Sequence, residues 1–189
     1  MTDTSELAEK ILYGVGPELR ELCEGRIEAL NAMCQSPIEV ALGAAIWTLW
    51  DSVSWLGHQM LAVVPAHQIE DGLNSPGFGA VLVPQFQVEQ YRADFLIIWR
   101  ADPQVEIRML IECDGHDFHE RTKEQAASDK RRDRALQTVG YPVLRFTGSE
   151  IHKDPVGRAR EVINALGNAL GKELTRRHRH ISKIISESG

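Results

Sequence analysis

The spacing of apolar residues predicts helices towards both ends of the chain. Apolar residues recur at helical spacing from Pro17 to Cys34, and a second helix is predicted from Ser36, which is followed by Glu39 in the pattern of a helix N-terminus. A third helix is predicted over residues 154–174, ahead of a basic tail. These helices leave the middle of the chain for a β-sheet.

Runs of β-branched and aromatic residues predict the strands of that sheet. Three such runs follow one another across short polar connections: PQFQVEQ, YRADFLIIW and IRMLIEC. A charged stretch over residues 120–139 favours a helix that ends at Gly140, and YPVLRF then forms a further strand. A short strand is predicted over residues 61–64, and a loop over residues 71–80.

The order helix, three strands, helix, strand, helix is typical of an α/β fold. Short connections between the first three strands predict an antiparallel meander. A strand that follows a crossover helix usually lies parallel to an earlier strand. The sequence therefore predicts a mixed β-sheet flanked by helices.

Composition places the chain among ordinary globular proteins. Its 189 residues are 43% hydrophobic and 25% charged, which suits one sizeable core and one domain. Three cysteines give no disulfide framework, the N-terminus is polar and acidic, and no apolar run approaches the roughly 20 residues that span a bilayer. We therefore expect a cytoplasmic protein in a reducing setting, without membrane contact.

Positive charge is unevenly distributed along the chain. The formal net charge of -6 argues against a protein that coats nucleic acid through a global positive field. The cations are instead concentrated in RTKEQAASDKRRDR (121–134) and RRHRH (176–180). Any binding of nucleic acid is therefore expected to be local.

Three acidic residues are predicted to meet at one end of the sheet. Asp94 interrupts the apolar strand YRADFLIIW, while Glu112 and Asp114 stand two apart at the end of RMLIECD, on one face of that strand. Three carboxylates this close repel one another unless a cation holds them. Hard oxygen ligands favour Mg²⁺ or Mn²⁺.

The ordered set of Glu39, YRADFLI, LIECDGHDFH, SDKRRDRAL and GYPVLRFTGSEI resembles the PD-(D/E)XK nuclease superfamily, and within it the very-short-patch-repair-like (Vsr-like) endonuclease group. The resemblance covers about residues 36–151. It implies a restriction-endonuclease-like core, with the order α-β-β-β-α-β, that hydrolyses phosphodiester bonds in DNA with Mg²⁺ or Mn²⁺. We divide the chain into an N-terminal helical extension (1–35), an endonuclease-like domain (36–174) and a basic C-terminal tail (175–189).

The resemblance also implies a role for each candidate metal ligand. Asp94 matches the metal-binding aspartate, Glu112 the second acidic position, and the backbone carbonyl of Cys113 a further ligand. Glu39 matches a first-helix glutamate that reaches the metal directly or through water. Local sequence offers a second role for this glutamate, since its carboxylate can close a capping box on Ser36.

The position after these acids departs from the pattern of the superfamily. Asp114 stands where most members have a lysine, and in the Vsr-like branch a histidine a few residues later is thought to act as the general base. His119 falls at that spacing, while His116 lies closer to the acids, so both are candidates. Histidine suits this role because its unperturbed pKa is about 6.5.

Basic side chains that follow the acids are candidates for phosphate contacts. They are Lys130, Arg131, Arg132, Arg134 and Arg145. Acidic residues interleaved with the first four allow an alternative, a solvated helix face with its own ion pairs.

Structural roles are open for some of the same residues. The strand aspartate can pair with Arg92 or Arg108 instead of a metal. Cys113, together with the two histidines, forms a second pattern, that of a zinc site. Each alternative depends on which side chains meet in the fold.

Three tryptophans lie in the second predicted helix: Trp47, Trp50 and Trp55. Such residues belong to a core or a partner interface more often than to a platform for base stacking. The N-terminal helices are therefore a candidate surface for a protein partner or a homodimer.

Two further functions are compatible with the sequence. The missing lysine and the acidic net charge allow a non-catalytic nucleic-acid-binding or protein-interaction module that keeps the nuclease fold. An RNase is the other, because the same metal chemistry cleaves either backbone.

Overall fold

A computed structural model describes residues 4–52, 59–115, 131–132, 134–136, 138 and 140–187. Within them, one sheet has the strand order β1-β2-β3-β4-β5. Its strands are β1 (Met60–Val63), β2 (Phe78–Val88), β3 (Tyr91–Asp102), β4 (Val105–Asp114) and β5 (Val143–Thr147). The middle three form an antiparallel meander, and β1 and β5 lie parallel to their neighbours. The predicted mixed sheet is confirmed.

Helices cover both faces of this sheet. They are α1 (Thr4–Asn31), α2 (Pro37–Ser52), α3 (Ile69–Asn74), α4 (Gly148–Lys153) and α5 (Pro155–Glu187). A 3-10 turn, Ala66–Gln68, leads into α3, and the described residues between 131 and 138 are helical.

Two apolar clusters, one on each face of the sheet, join strands to helices. Alternation along β3 sends Phe95, Ile97 and Trp99 into a cluster with α1, α2 and α5. Leu96 and Ile98 belong to the cluster that contains α3. Side chains of this size contribute roughly 1.5–3 kcal/mol each when fully buried. The continuous apolar run FLIIW is therefore typical of a central strand that is covered on both faces.

The prediction of a loop over residues 71–80 is wrong at both ends. Residues up to Asn74 belong to α3, and β2 already begins at Phe78. Gly72 marks close packing of α3 on β2 rather than a turn, because a Cβ at this position would lie 2.7 Å from Val81 Cγ1. The apolar run GAVLV forms the first half of β2.

Pro84 lies inside β2 rather than at its start. It pairs with Phe95 of β3. On the other side of β2, β1 has already ended, since its last paired residue is Val63, opposite Leu82. A strand tolerates a proline where no neighbouring strand needs the missing N–H.

The first helix is longer and more exposed than its pattern predicts. α1 begins at Thr4, well before the predicted start. Leu30 is buried against the core, but the apolar positions Leu19, Leu22 and Ile27 are more than 40% exposed. Helical spacing thus identified the element but not the extent of its burial.

The basic C-terminal stretch is part of a helix. α5 runs from Pro155 to Glu187 and continues across residue 174, the predicted end of the nuclease domain. None of the helices in the described ranges is long and apolar enough to cross a membrane.

Trp50 has the structural role that the sequence favours. It is 1% exposed, its Nε1 donates to the Gln59 carbonyl at 2.9 Å, and its ring meets that of Trp99 edge-on at a centroid distance of 5.7 Å. Trp47 is half-buried, with the Arg26 guanidinium 5.1 Å from its ring centroid. The third tryptophan of this group, Trp55, lies outside the described residues.

Candidate active site at the ends of β3 and β4

Antiparallel pairing brings the start of β3 next to the end of β4. Phe95 pairs with Ile111, so Asp94 and Glu112 occupy the next positions on the two strands. On the other side of β4, Glu112 pairs with Arg145 of β5. The structure therefore brings the two acids together at one end of the sheet, as the strand order predicts.

Asp94 is held by the backbone of the neighbouring strand. Its Oδ2 accepts a hydrogen bond from the Cys113 N–H at 2.5 Å. Burial raises the pKa of the Asp94 carboxyl, this hydrogen bond lowers it, and the nearby charge of Glu39 raises it again. The half-buried carboxylate thus has a fixed direction and an environment that disfavours its charge.

The two arginines considered as ion-pair partners of this aspartate donate elsewhere. The Nη2 of Arg92 donates to Gln35 Oε1 at 2.5 Å, and the Nε of Arg108 donates to Glu106 Oε1 at 2.7 Å. The geometry therefore does not support the ion-pair alternative with either of them.

Glu112 is fully buried, with 0% of the residue exposed. The Arg132 guanidinium donates to its Oε2, while its Oε1 has no hydrogen-bond partner among the described residues. Burial is the main cause that raises the pKa of Glu112 to about 7. The positive charge of Arg132 lowers this pKa, and the negative charge of Asp94 raises it. An unpartnered oxygen on a buried carboxylate is costly unless a cation or donor reaches it.

Glu39 lies in the first turn of α2 and is 6% exposed. Its Oε1 accepts from the Ser36 hydroxyl at 2.8 Å, and its Oε2 accepts from the Gln35 N–H at 2.9 Å and from Gln85 Nε2 at 2.6 Å. The cap differs from the predicted box, because the carboxylate binds the Gln35 N–H rather than that of Ser36. The charge of Glu39 also raises the pKa of Asp94, so this capping residue lies within electrostatic reach of that aspartate.

Asp114 and Cys113 complete the described end of β4. Asp114 is half-buried, and its charge also raises the pKa of Asp94. The Cys113 side chain packs against the core cluster of α2 and α5, and burial raises the pKa of its thiol. A protonated thiol in the core does not favour the zinc pattern.

The basic candidates fall into three groups. Arg132 is half-buried and donates to Glu112. Exposed side chains belong to Arg131, Arg134 and Arg145. Outside the described residues lie His116, His119 and Lys130.

Within the part of the chain that the structure describes, no three acidic, histidine or cysteine side chains form a metal-binding group. Asp94 and Glu112 nevertheless supply the hard oxygen donors that Mg²⁺ and Mn²⁺ prefer, and Glu112 Oε1 is available to accept a cation. The donor set therefore fits a hard divalent ion once Arg132 releases the other oxygen of Glu112.

Gln85 is the site residue that the sequence does not reveal. Its φ is 54°, although it is not a glycine, and its contact to Glu39 joins residues 46 positions apart. Neither a left-handed glutamine nor a contact this distant in the chain has a signature in a hydrophobic pattern.

A mixed five-stranded sheet flanked by helices, with acids at adjacent ends of β3 and β4, is compatible with a restriction-endonuclease-like core. The model of the restriction-endonuclease domain family REase_MTES_1575 matches residues 67–166, which is more than half of the 189 residues. The chain belongs to this family, within the PD-(D/E)XK superfamily. The match includes Asp94, Glu112 and Asp114 and begins after Glu39. No curated protein and no solved structure matches the chain significantly.

Membership of this family indicates a nuclease, and DNA is the substrate it implies. Restriction-endonuclease-like domains generally use divalent metal ions.

Proposed function

We propose that this protein is a metal-dependent endonuclease that hydrolyses phosphodiester bonds in DNA with Mg²⁺ or Mn²⁺. The observation that carries the proposal is the placement of Asp94 and Glu112 at adjacent strand ends, the first held by the Cys113 N–H and the second with an unpartnered oxygen. The family supports the same reaction class.

The proposed ligands are Asp94, Glu112 and the backbone carbonyl of Cys113, with Glu39 binding directly or through water. A bound ion supplies the Lewis acidity that makes water a better nucleophile and neutralises charge on the phosphate. The chain itself contributes orientation: a backbone N–H aims Asp94, and the α2 cap aims Glu39. These contacts hold two carboxylates in place before a substrate arrives.

The proposed general base is His119, with His116 as the alternative. Asp114 occupies the place where most of the superfamily has a lysine, so this chain needs another group to take the proton of the attacking water. The aspartate in place of this lysine supports placing the protein near the Vsr-like branch of the superfamily.

The proposed phosphate contacts are Lys130, Arg131, Arg134 and Arg145. Arg132 is proposed to exchange partners, leaving Glu112 for a phosphate oxygen when a metal ion binds. A guanidinium can make this exchange because carboxylate and phosphate offer it the same bidentate geometry.

Wild-type protein should nick or linearise supercoiled plasmid DNA with Mg²⁺ or Mn²⁺, and EDTA should abolish the cleavage. Agarose gel time courses measure the rate, and labelled single-stranded DNA and RNA in parallel distinguish a DNase from an RNase. The proposal fails if no nucleic acid is cut and calorimetry detects no binding of Mn²⁺.

One observation favours a second candidate, a non-catalytic module with the nuclease fold. Arg132 neutralises Glu112 in this structure, as it would in a protein that binds DNA without cutting it. The failure just described, combined with DNA binding in a gel-shift assay, would favour this module.

Arg132→Gln should strengthen Mn²⁺ binding about tenfold at about pH 8.5, which lies above the pKa of about 7 that Glu112 has with Arg132 beside it. The substitution removes the cation that competes for Glu112 Oε2. Titration calorimetry measures the affinity, and Arg131→Gln is the matched control because its exposed side chain lies next in the chain. Equal gains in both variants would show that only overall charge matters, and no gain in Arg132→Gln would show that Arg132 does not block the site.

A further inference from the structure

We infer that Gln85 is a positioning residue of the site, whose side-chain amide sets the direction of the Glu39 carboxylate. The inference rests on the proposed function, because it takes Glu39 as a residue that faces the metal ion or its water ligands. It adds a residue of β2 to the proposed metal ligands, which lie on β3, β4 and α2.

Gln85 has a backbone conformation that its residue type disfavours. Its φ of 54° lies in the left-handed region, where a Cβ crowds the following carbonyl oxygen. The β2–β3 register places it between two pairs, Pro84 with Phe95 and Phe86 with Ala93. Gln85 therefore stands opposite Asp94, at the level of the candidate site.

Three donors hold the Glu39 carboxylate. Gln85 Nε2 at 2.6 Å and the Gln35 N–H at 2.9 Å both bind Oε2, and the Ser36 hydroxyl binds Oε1 at 2.8 Å. Gln35 is itself tied to β3, since Arg92 Nη2 donates to its side-chain oxygen at 2.5 Å. The carboxylate is thereby anchored to β2 directly and to β3 through one intermediate.

The hydrogen bonds that cap the start of α2 do not involve Gln85. The Gln35 N–H already binds Oε2, and Ser36 already binds Oε1 and caps the helix. A glycine at position 85 would take the same backbone conformation with less crowding. A residue with a side chain in a strained backbone conformation that a glycine could adopt more easily is typical of a functional site. Here the side-chain amide of Gln85 donates a hydrogen bond to Glu39.

Two glycine substitutions in the full-length chain test the inference. Glu89, with φ of 51°, is the other left-handed non-glycine residue within the described ranges, and it lies exposed in the β2–β3 turn. Gln85→Gly and Glu89→Gly relieve the same crowding, but only the first removes a donor to Glu39. In EDTA both variants should melt close to the wild-type temperature, because relief of crowding offsets the greater freedom of glycine in the unfolded chain.

Titration calorimetry with Mn²⁺ then separates the two variants. Gln85→Gly should bind about ten- to a hundredfold more weakly than wild type, as when a group that orients a metal ligand is lost. Glu89→Gly should bind like wild type. This combination, an unchanged melting temperature with weaker binding at position 85 alone, supports the inference.

Three results would overturn it. If wild type binds Mn²⁺ and Gln85→Gly binds it equally well, Gln85 does not position the site, and the proposed function stands. A large loss of melting temperature in Gln85→Gly alone would make the contact a structural one. If wild-type protein binds no Mn²⁺ and cuts no DNA, the proposed function fails and the role of Gln85 fails with it.

Discussion

Asp94→Asn should lower the single-turnover rate of metal-dependent DNA cleavage by about a thousandfold. The asparagine keeps an oxygen that accepts the Cys113 N–H, but it removes the negative charge that would hold the ion. A catalytic metal supplies several kcal/mol of transition-state stabilisation, and each ~1.4 kcal/mol is a factor of ten in rate. The fold should be retained, because burial already raises the pKa of this carboxyl and disfavours its charge.

Asp102→Asn is the matched control for this substitution. Asp102 lies at the other end of the same strand, is exposed, and accepts the Gln104 N–H at 2.9 Å. Its replacement should leave cleavage unchanged. A variant Asp94→Asn that cuts within about tenfold of the wild-type rate, far from the thousandfold loss expected of a metal ligand, would remove Asp94 from the list of ligands.

Glu112→Gln should stabilise the metal-free protein in alkaline solution and have little effect in acid. Burial raises the pKa of Glu112 to about 7 from its ordinary value of 4.5, so the folded state favours the protonated carboxyl. The stability that this provides is complete below the unfolded pKa and is lost as the pH rises through about 7. Glutamine mimics the protonated form and avoids the loss.

The size of this effect follows from the pKa shift. A shift of this size corresponds to roughly 3 kcal/mol, or roughly 6–12 °C in melting temperature for a chain of this length. Circular-dichroism melts in EDTA, from about pH 4 to about pH 9, span the transition. We expect the variant and wild type to melt alike at the acid end and to separate as Glu112 ionises.

Glu106→Gln provides a control of opposite sign on the same strand. Burial of Glu106 is outweighed by hydrogen bonds from Arg108 and Arg100, so its pKa lies below the ordinary value. The stabilising contribution of ionised Glu106 is present above the unfolded pKa and is lost as the pH falls. Glu106→Gln should therefore be less stable than wild type in alkaline solution. If Glu112→Gln is also destabilised there, the Arg132 ion pair outweighs the cost of burying Glu112.

The strand order and the two central acids could be predicted because their determinants are local. FLIIW and MLI are continuous apolar runs, which are typical of strands covered on both faces. The connections between the three runs are too short for anything but antiparallel pairing. Once β3 and β4 are neighbours, Asp94 and Glu112 meet at one end of the sheet without any further information.

The errors in the predicted fold occur where the role of a residue depends on what packs against it. Gly72 lies in the predicted loop, but in the structure it allows α3 to approach β2. Pro84 begins a predicted strand, but it lies inside β2, past the end of β1. The apolar positions of α1 predict burial, yet Leu19 and Leu22 are nearly half exposed. A pattern shows which face is apolar, whereas burial requires another element on that face.

By itself, the sequence determined the mixed sheet, the end of the sheet at which the acids gather, and the class of chemistry that such acids support. Only the tertiary structure decided their partners: Arg132 on Glu112, the Cys113 N–H on Asp94, and Gln85 on Glu39. The hydrophobic periodicity of the sequence shows on which face of its own helix or strand each residue lies. Hydrogen bonds between residues 19, 20 and 46 positions apart form only when separate elements pack together.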